Sequence, residues 1–264
     1  MDKLGFIGAG NMGSAMIARI SQKLGKESVS YWDKDPRQNS AVTEMTGIQP
    51  EASLPLLINN CRYIVCAVKP QHVFELLENM RSLITKEHIF ISVAPGITIS
   101  EYQTFLPCPI VRAMPNIAAL VGEAMSVLAF SKDFTDEGKR EFIVGVFNTI
   151  GKSAIFDERF VDSAIPLSGS SPAYIFMMID AMADAGVKLG IPRGIAETMI
   201  AQSIYGAAKL FIETGDHPSE LKDKVCSPGG TTIEAVATLE RSGFRAAIID
   251  AVDACFEKIR NLKK

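Results

Sequence analysis

The sequence predicts an α/β fold in which an N-terminal doubly wound sheet is followed by an all-α C-terminal domain. Short β-branched runs alternate with helical patterns up to about residue 155, an alternation that favours a doubly wound sheet. Several runs are almost continuously apolar, as is typical of parallel strands covered on both faces. Beyond Arg159 no strand pattern occurs, and helical sequence rich in Ala, Met and Ile continues. We therefore predict two domains, residues 1–160 and 161–264.

Each predicted element of the first domain follows from a local pattern. The predicted strands are Lys3–Gly8, Ser28–Asp33, Arg62–Val68, His88–Ala94, Pro109–Met114, Met125–Phe130 and Lys152–Phe156. The predicted helices include Asn11–Leu24, Pro36–Met45, Gln71–Met80 and Asp136–Thr149.

The second domain contains an unusually apolar helix, predicted over Ala173–Leu189. Ser171 is a suitable N-cap, Pro172 suits the first helical position, and Gly190 is a stop signal. The helix is apolar around nearly its whole circumference, so it requires burial on all sides. A helical domain of about 100 residues encloses such a helix with difficulty. We therefore predict a homodimer, with a monomeric bundle as the alternative.

Composition and charge exclude several classes of function. The net charge is −3, and basic residues cluster only in the terminal KIRNLKK, so nothing favours nucleic-acid binding. The five cysteines and three histidines lack metal-ligand spacing, and no metal site is expected. The start MDKLGFIG is unlike a signal sequence, and Asp180, Asp184 and Lys188 interrupt the most apolar stretch. These features predict a cytoplasmic protein with reduced thiols.

A glycine motif directly follows the first predicted strand. Gly8, Gly10 and Gly13 have the G-x-G-x-x-G spacing and open a helix. The first glycine permits a tight turn, the second a close approach to a pyrophosphate, and the third close packing of helix on strand. Free N–H groups and the helix dipole would then face the phosphates. This context predicts a Rossmann-type cofactor site that comprises Ile7, Gly8, Ala9, Gly10, Asn11, Met12 and Gly13.

The end of the second predicted strand bears on the choice of cofactor. Asp33 lies 20 residues after Gly13, where a carboxylate accepts from a ribose 2′-hydroxyl and favours NAD. Lys34 and Arg37 lie close by and would neutralise a 2′-phosphate, which favours NADP. Both cofactors stay open on residues alone. For Asp35, capping of the helix that begins at Pro36 is the better interpretation.

Two further strand ends are predicted to lie beside the cofactor, because ligands of open α/β sheets bind outside the carboxyl ends of strands. One carries the segment AVKPQ, which contributes Ala67, Val68, Lys69 and Pro70. The other carries MPN, which contributes Asn116. For the Lys69 side chain, an ordinary strand-to-helix turn is an equally good explanation.

Several segments together closely resemble pyrroline-5-carboxylate reductases. They are FIGAGNMG, AVKPQ, VRAMPN, SGSSPAYIFMMIDAMADAGVKLGIPR and ETGDHPSELKDKVCSPGGTTIEAVATLE, and they cover essentially the whole chain. The resemblance implies reduction of 1-pyrroline-5-carboxylate to L-proline, the last step of proline biosynthesis, with NADPH or NADH. It also implies a helical domain that interleaves with a partner subunit, in dimers that often assemble further. Asp33 departs from the usual family pattern.

The implied reaction transfers a hydride to a cyclic imine, which is already a good electrophile and needs no strong general acid. Its substrate carries a carboxylate, which needs a fixed anion site. Gly229, Gly230, Thr231 and Thr232 open a predicted helix and would offer free N–H groups, and Ser227 adds a donor. We place the Thr232 hydroxyl beside the ring nitrogen, where it orients the substrate or relays a proton.

The same features allow three other interpretations. Thr231 or Thr232 would merely cap the helix, and the residues alone leave capping and substrate binding evenly balanced. A β-hydroxyacid dehydrogenase also begins with a similar glycine loop, but it relies on a lysine that SGSSPAYIF lacks. A non-catalytic nucleotide-binding regulatory dimer is the third possibility.

Overall fold

The computed structural model describes residues 3–261, and these contain a seven-stranded sheet with the order β2-β1-β3-β4-β5-β6-β7. The strands are β1 (Leu4–Ile7), β2 (Val29–Trp32), β3 (Tyr63–Cys66), β4 (Ile89–Ser92), β5 (Ile110–Met114), β6 (Ala124–Phe130) and β7 (Gly151–Ile155). All seven predicted strands are therefore confirmed. The first five are mutually parallel, whereas β6 pairs antiparallel with β5 and parallel with β7. The sequence did not predict this reversal.

The four predicted helices of the first domain are also present, with small changes at their ends. The helices are α1 (Asn11–Leu24), α2 (Pro36–Thr46), α3 (Leu54–Asn60), α4 (Val73–Met80), α5 (Ile99–Gln103), α6 (Glu137–Asn148), α7 (Val161–Ala164), α8 (Ser171–Lys188), α9 (Arg193–Thr214), α10 (Pro218–Val225), α11 (Thr231–Arg241) and α12 (Phe244–Arg260). The start of the predicted helix Gln71–Met80 is instead a 3-10 turn, Pro70–His72, before α4.

Alternation along the strands places apolar side chains on both faces of the sheet. Leu4 and Phe6 of β1 belong to one buried cluster, and Ile7 belongs to another. In β4, Ile91 and Phe90 divide between the two clusters in the same way. Helices therefore have to cover both faces, which is why these strands are nearly continuous apolar runs.

The order of the strands determines where this sheet can bind a ligand. β1 lies between β2 and β3, so the chain leaves β1 first to one side and later returns on the other. The loops after β1 and β3 consequently diverge, and the crevice between them lies at the carboxyl ends of parallel strands.

A polar network holds the segment after β7 to the sheet. Arg112 of β5 has a side chain only 1% exposed, and its guanidinium pairs with the carboxylates of Glu158 and Asp162. Asn116, just beyond β5, donates from Nδ2 to the carbonyl oxygen of Ser168 at 2.8 Å. Burying a cation costs free energy unless it is paired, so the two carboxylates are what make Arg112 tolerable there.

The chain divides into two compact units. One comprises the chain up to Pro172 together with the end from Cys255, and the other comprises Ala173–Ala254. We call them the Rossmann unit and the helical unit. The predicted domain division at residue 160 stays a prediction, because a compact unit is not necessarily a domain that folds alone.

The helical unit contains no strand, as predicted. Its small buried cluster consists of Ala183, Ala196 and Ile200, from α8 and α9. A Cβ on Gly186 would lie 2.9 Å from the Cβ of Ala196, so this glycine allows the two helices to pack closely.

The predicted start of α8 needs a correction. The helix begins at Ser171, so this residue is not its N-cap and Pro172 is its second residue. The reason is that the chain enters α8 from a π-helical turn, Ile165–Gly169, rather than from extended backbone. Gly190, with φ of 88°, ends the helix as predicted. None of the helices within residues 3–261 has the length and hydrophobicity needed to cross a membrane.

Candidate functional site

The glycine motif forms the turn between β1 and α1. Gly8 has φ of 97°, and a Cβ there would lie 2.8 Å from the backbone of Ala67, so the turn is packed against the end of β3. A Cβ on Gly13 would lie 2.1 Å from the carbonyl oxygen of Gly8. Gly10 differs, since a Cβ there would meet no protein atom within 4 Å. The first and third glycines are thus required by the fold, whereas the second faces open space.

The start of α1 is free of a side-chain cap. Its N-cap is Gly10, which contributes no side chain, whereas Asp35, Ser53, Thr98 and Asp136 cap α2, α3, α5 and α6. The N–H groups of the first helical turn have no acceptor within an α-helix, so they are suited to bind an anion. The Ala9 N–H, which lies just before the N-cap, is not free, because it donates to Asp33 Oδ2 at 2.6 Å.

A cavity of about 360 Å³ lies at the carboxyl ends of β1, β2 and β3. Eight of the predicted cofactor residues line it, namely Ile7, Gly8, Gly10, Asp33, Lys34, Ala67, Val68 and Lys69. The other six do not, namely Ala9, Asn11, Met12, Gly13, Pro70 and Asn116. For all fourteen residues a part in cofactor binding stays a prediction.

The sequence reasoning missed eight further lining residues. They are Trp32, Asp35, Gln38, Leu54, His72, Glu75, Leu76 and Asn79. The last four have the spacing of one helix face, at three, four and seven residues from His72, which places them along one face of α4 and the residue before it. That spacing after a strand end was a usable signal.

Asp35 has the capping role that the sequence predicted. Its Oδ1 accepts from the Arg37 N–H at 3.0 Å, and the Arg37 guanidinium pairs with both of its carboxylate oxygens. The hydrogen bonds from Arg37 hold the pKa of the Asp35 carboxyl below its usual value. Arg37 is therefore already engaged by a carboxylate, whereas Lys34 has no ion-pair or hydrogen-bond partner among residues 3–261.

The two other predicted strand ends differ in what they offer. Ala67 donates its N–H to the carbonyl oxygen of Ile7 at 2.8 Å, which fixes the segment beside the glycine turn, and Lys69 is exposed at the rim of the cavity. Asn116 is buried, and its amide is engaged at both ends, by the carbonyl oxygen of Ser168 and the N–H of Ala118. Its side chain therefore serves mainly to hold the backbone after β5.

In the helical unit, the segment from Ser227 to Thr232 forms a tight turn followed by a helix start. Pro228 and Gly229 occupy its centre, Gly229 has φ of 65°, and the Gly230 N–H donates to the Ser227 carbonyl oxygen at 3.0 Å. Proline followed by a glycine of positive φ is the pattern of a type II turn. A Cβ on Gly230 would lie 2.3 Å from Ser227 Oγ, so glycine is what allows the hydroxyl to lie against the helix start.

The start of α11 resembles that of α1, because its N-cap is again a glycine, Gly230, without a side-chain cap. Neither Thr231 nor Thr232 caps the helix, which answers the capping alternative. Within residues 3–261 the hydroxyl of Thr232 has no hydrogen-bond partner. His217, by contrast, caps α10 through Nδ1, which accepts from the Ser219 N–H at 3.2 Å.

The buried thiols are poor candidates for chemistry. Burial raises the pKa of Cys61 to about 11 and that of Cys66 and Cys108 to about 12, so all three stay protonated at neutral pH. No group of three His, Cys, Asp or Glu side chains within residues 3–261 is arranged to hold a metal ion.

A doubly wound sheet with an uncapped glycine-loop helix at its switch point defines a dinucleotide-binding domain of the oxidoreductase type. Comparison with known proteins agrees with this class. Residues 3–96 match the family model described as NADP oxidoreductase, coenzyme F420-dependent, and residues 158–262 match pyrroline-5-carboxylate reductase dimerisation.

Proteins similar over their full length give the particular family. The chain is 39% identical to the pyrroline-5-carboxylate reductase of Escherichia coli over 99% of this chain and 98% of that protein. It is 36% identical to that of Arabidopsis thaliana over 99% and 96%. The Plasmodium falciparum pyrroline carboxylate reductase with NADP bound superposes with a TM-score of 0.91, at 30% identity, over 100% of this chain and 98% of the other. The chain belongs to the pyrroline-5-carboxylate reductase family.

Proposed function

We propose that the protein reduces 1-pyrroline-5-carboxylate to L-proline with NADPH or NADH, as the last step of proline biosynthesis. The uncapped start of α1 beside the cavity at the carboxyl ends of β1 and β3 carries this proposal, together with membership of the family. When bound, the nicotinamide supplies a hydride to C5 of the cyclic imine, and the ring nitrogen gains a proton.

The residues of the Rossmann unit fit a dinucleotide. Gly10 leaves open the space that a Cβ would occupy, and that space adjoins free N–H groups at the positive end of the α1 dipole. Asn11, Met12 and Gly13 contribute these N–H groups to the pyrophosphate. Lys69 adds a positive charge at the rim, and Ile7, Ala67 and Val68 form the apolar floor.

The helical unit supplies the anion site for the substrate carboxylate. The backbone N–H groups of Thr231 and Thr232 begin α11 without a competing cap, and Gly229 and Gly230 leave room for close approach. Ser227 adds its hydroxyl. Thr232 then directs its own hydroxyl to the ring nitrogen, which orients the imine for hydride transfer.

We further propose that the enzyme acts in the cytoplasm as a homodimer and that dimers assemble into a larger homo-oligomer. The many large apolar side chains exposed on the helical unit support the dimer, because extensive exposed apolar surface is typical of protein–protein interfaces. The five free cysteines support a reducing compartment.

The Thr232→Ala variant tests the chemical part of the proposal. We expect kcat/KM for the pyrroline substrate to fall about tenfold to a hundredfold, since one hydrogen bond to the reacting group is lost. The oxidation of NADPH is followed by its absorbance. Thr238→Ala is the matched control, because Thr238 lies on the same helix and donates to the carbonyl oxygen of Glu234.

The outcomes separate the parts of the proposal. If Thr232→Ala stays within about twofold of the parent, the hydroxyl has no chemical role and only the backbone acts. If the parent protein oxidises neither NADPH nor NADH with this substrate, the proposed function itself is wrong.

A further inference from the structure

An acidic residue at the end of the second strand is ordinarily expected to bind the ribose and favour NAD. In this protein both oxygens of the Asp33 carboxylate are already engaged by the backbone. Oδ2 accepts from the Ala9 N–H in the glycine turn at 2.6 Å, and Oδ1 accepts from the Asp35 N–H at 2.8 Å. Hydrogen bonds to an ionised acceptor are about twice as strong as neutral ones, so these contacts fix the turn.

The backbone of Asp33 is held as well. Its N–H donates to Asn39 Oδ1 at 3.2 Å, and its carbonyl oxygen accepts from Asn39 Nδ2 at 3.0 Å. Residue 33 is thereby fixed to α2 on one side and, through its carboxylate, to the glycine turn on the other. It is built into the wall of the cavity.

The nearby cations differ in availability. Arg37 is paired with Asp35 through two of its nitrogens, and that carboxylate also caps α2. Lys34 is exposed, lines the cavity and has no partner among residues 3–261. A phosphate on the adenosine ribose beside the end of β2 would therefore meet Lys34, rather than Arg37, as the available cation at that strand end.

We infer that Asp33 is a positioning residue that ties the glycine turn to the end of β2, and that Lys34 recognises the 2′-phosphate of NADPH. This inference rests on the proposed function, because it assumes that the cavity binds a nicotinamide dinucleotide. Asp33 then supports the binding of either cofactor, and the preference for NADPH comes from its neighbour.

Dissociation constants measured by calorimetry without substrate test the role of Asp33. For Asp33→Asn we expect the binding of NADPH and of NADH to weaken about tenfold each. The two N–H groups bond different carboxylate oxygens, and in asparagine one of these oxygens is replaced by an NH2 group, which cannot accept. The emission of Trp32, the single tryptophan, which lines the cavity, gives a second binding signal. If instead the binding of NADH weakens while NADPH binds as tightly as before or more tightly, Asp33 binds the ribose hydroxyl and the inference is overturned.

A fragment separates positioning from general structural damage. Adenosine 2′-monophosphate lacks the pyrophosphate, so Asp33→Asn should leave its dissociation constant within about threefold of the parent value, because the turn it disturbs holds only the pyrophosphate. Equal weakening of this fragment and NADPH would mean that the whole cavity is disrupted and would overturn the positioning role.

Lys34→Gln tests whether Lys34 recognises the 2′-phosphate, and Arg37→Gln is the matched control. We expect Lys34→Gln to raise the dissociation constant of NADPH about tenfold and that of NADH by less than twofold. Arg37→Gln should change neither dissociation constant by more than about threefold. If Arg37→Gln selectively weakens NADPH, the assignment of Lys34 is wrong.

One measurement needs no variant. The parent protein should bind NADPH about tenfold more tightly than NADH, and tighter binding of NADH would overturn the inference even if Asp33→Asn failed to fold. If the parent protein binds neither NADPH nor NADH, the proposed function has failed, which is a different result from failure of this inference alone.

Discussion

The Rossmann unit and the helical unit bury their apolar side chains to very different extents. In the first, strands such as β1, β3 and β4 are buried along their whole length, and two large clusters cover the two faces of the sheet. In the second, the buried cluster has three members, while exposed apolar side chains line its helices: Phe176, Met177, Leu189, Met199, Tyr205, Ile212 and Ile249 among others.

This difference teaches that the two units close their cores by different means. A sheet with helices on both faces encloses its own apolar side chains within one chain. The helices of the helical unit have apolar side chains that its own residues leave exposed. A helix that is apolar around its circumference requires another surface to cover it. The first unit is therefore expected to depend on its internal packing, and the second on association.

A matched pair of phenylalanines gives the largest expected contrast. Phe90 is 0% exposed and Phe176 is 61% exposed. Phe90→Ala should lower the free energy of unfolding by about 3–5 kcal/mol, because it removes a buried ring and leaves a cavity. Phe176→Ala should instead raise the subunit dissociation constant at least about tenfold, as truncation of an interface aromatic does. Urea unfolding measures the first effect and sedimentation velocity over a concentration series the second.

The contrast would be broken by one particular result. If Phe176→Ala destabilised the protein as much as Phe90→Ala while leaving association unchanged, the helical unit would be covered by its own chain. The monomeric bundle would then be the correct description.

The uncapped starts of α1 and α11 allow a test of whether one unit binds the cofactor and the other the substrate. Gly10 and Gly230 both have extended backbone that alanine tolerates, with φ of −67° and −80°. Gly10→Ala should weaken cofactor binding about tenfold with little change in the KM for the pyrroline acid, because its methyl group occupies only ligand space. Gly230→Ala should raise that KM about tenfold and leave cofactor binding unchanged, because it displaces Ser227 Oγ. Similar effects of both variants on both ligands would contradict the division.

Among the predictions that compare the two units, thiol reactivity is expected to show the smallest effect. Cys61, Cys66 and Cys108 of the Rossmann unit are buried, whereas Cys226 of the helical unit is half-buried. With an alkylating reagent at neutral pH, peptide mapping should find Cys226 modified first and the other three unmodified in the native protein. Modification of Cys66 at the rate of Cys226 would mean that the sheet opens readily.

The same thiols predict how stability changes with pH. Their pKa values are raised in the folded protein, so the unfolded chain ionises first, at about pH 8.5. The free energy of unfolding therefore falls as the pH rises from there towards about 12 for Cys66, by at most about 1.4 kcal/mol per pH unit for each thiol. In the Cys66→Ala variant the free energy of unfolding should change less with pH in this range. If its slope against pH equals that of the parent protein, the pKa of Cys66 is not raised by burial.

Much of the Rossmann unit could be predicted because its signals are local. Short β-branched runs, several of them almost continuously apolar, predicted each strand, and glycine spacing predicted the turn after β1. The reversal of β6 and β7 could not be predicted, since an apolar run carries no sign of strand direction. The π-helical turn before α8 has no sequence signature of comparable strength.

For the candidate site, the sequence supplied the residue types but not their partners. Asp33 and Lys34 were singled out from their position after β2, and both cofactors stayed open. The hydrogen bond from Ala9 to Asp33 joins residues 24 positions apart, so only the folded chain brings the two together. The same is true of Leu54 and Leu76, whose places in the cavity depend on how α3 and α4 pack on the sheet.

By itself, the sequence determined the fold class, the family and the glycine-rich helix starts, because periodicity, glycine spacing and local motifs are properties of neighbouring residues. Only the tertiary structure decided that Arg37 is held by Asp35, that Lys34 remains available, and that neither threonine caps α11. Those facts depend on which donors and acceptors are left over once the chain has folded. A hydrogen-bond partner becomes unavailable only when another group occupies it, and that competition is resolved in three dimensions.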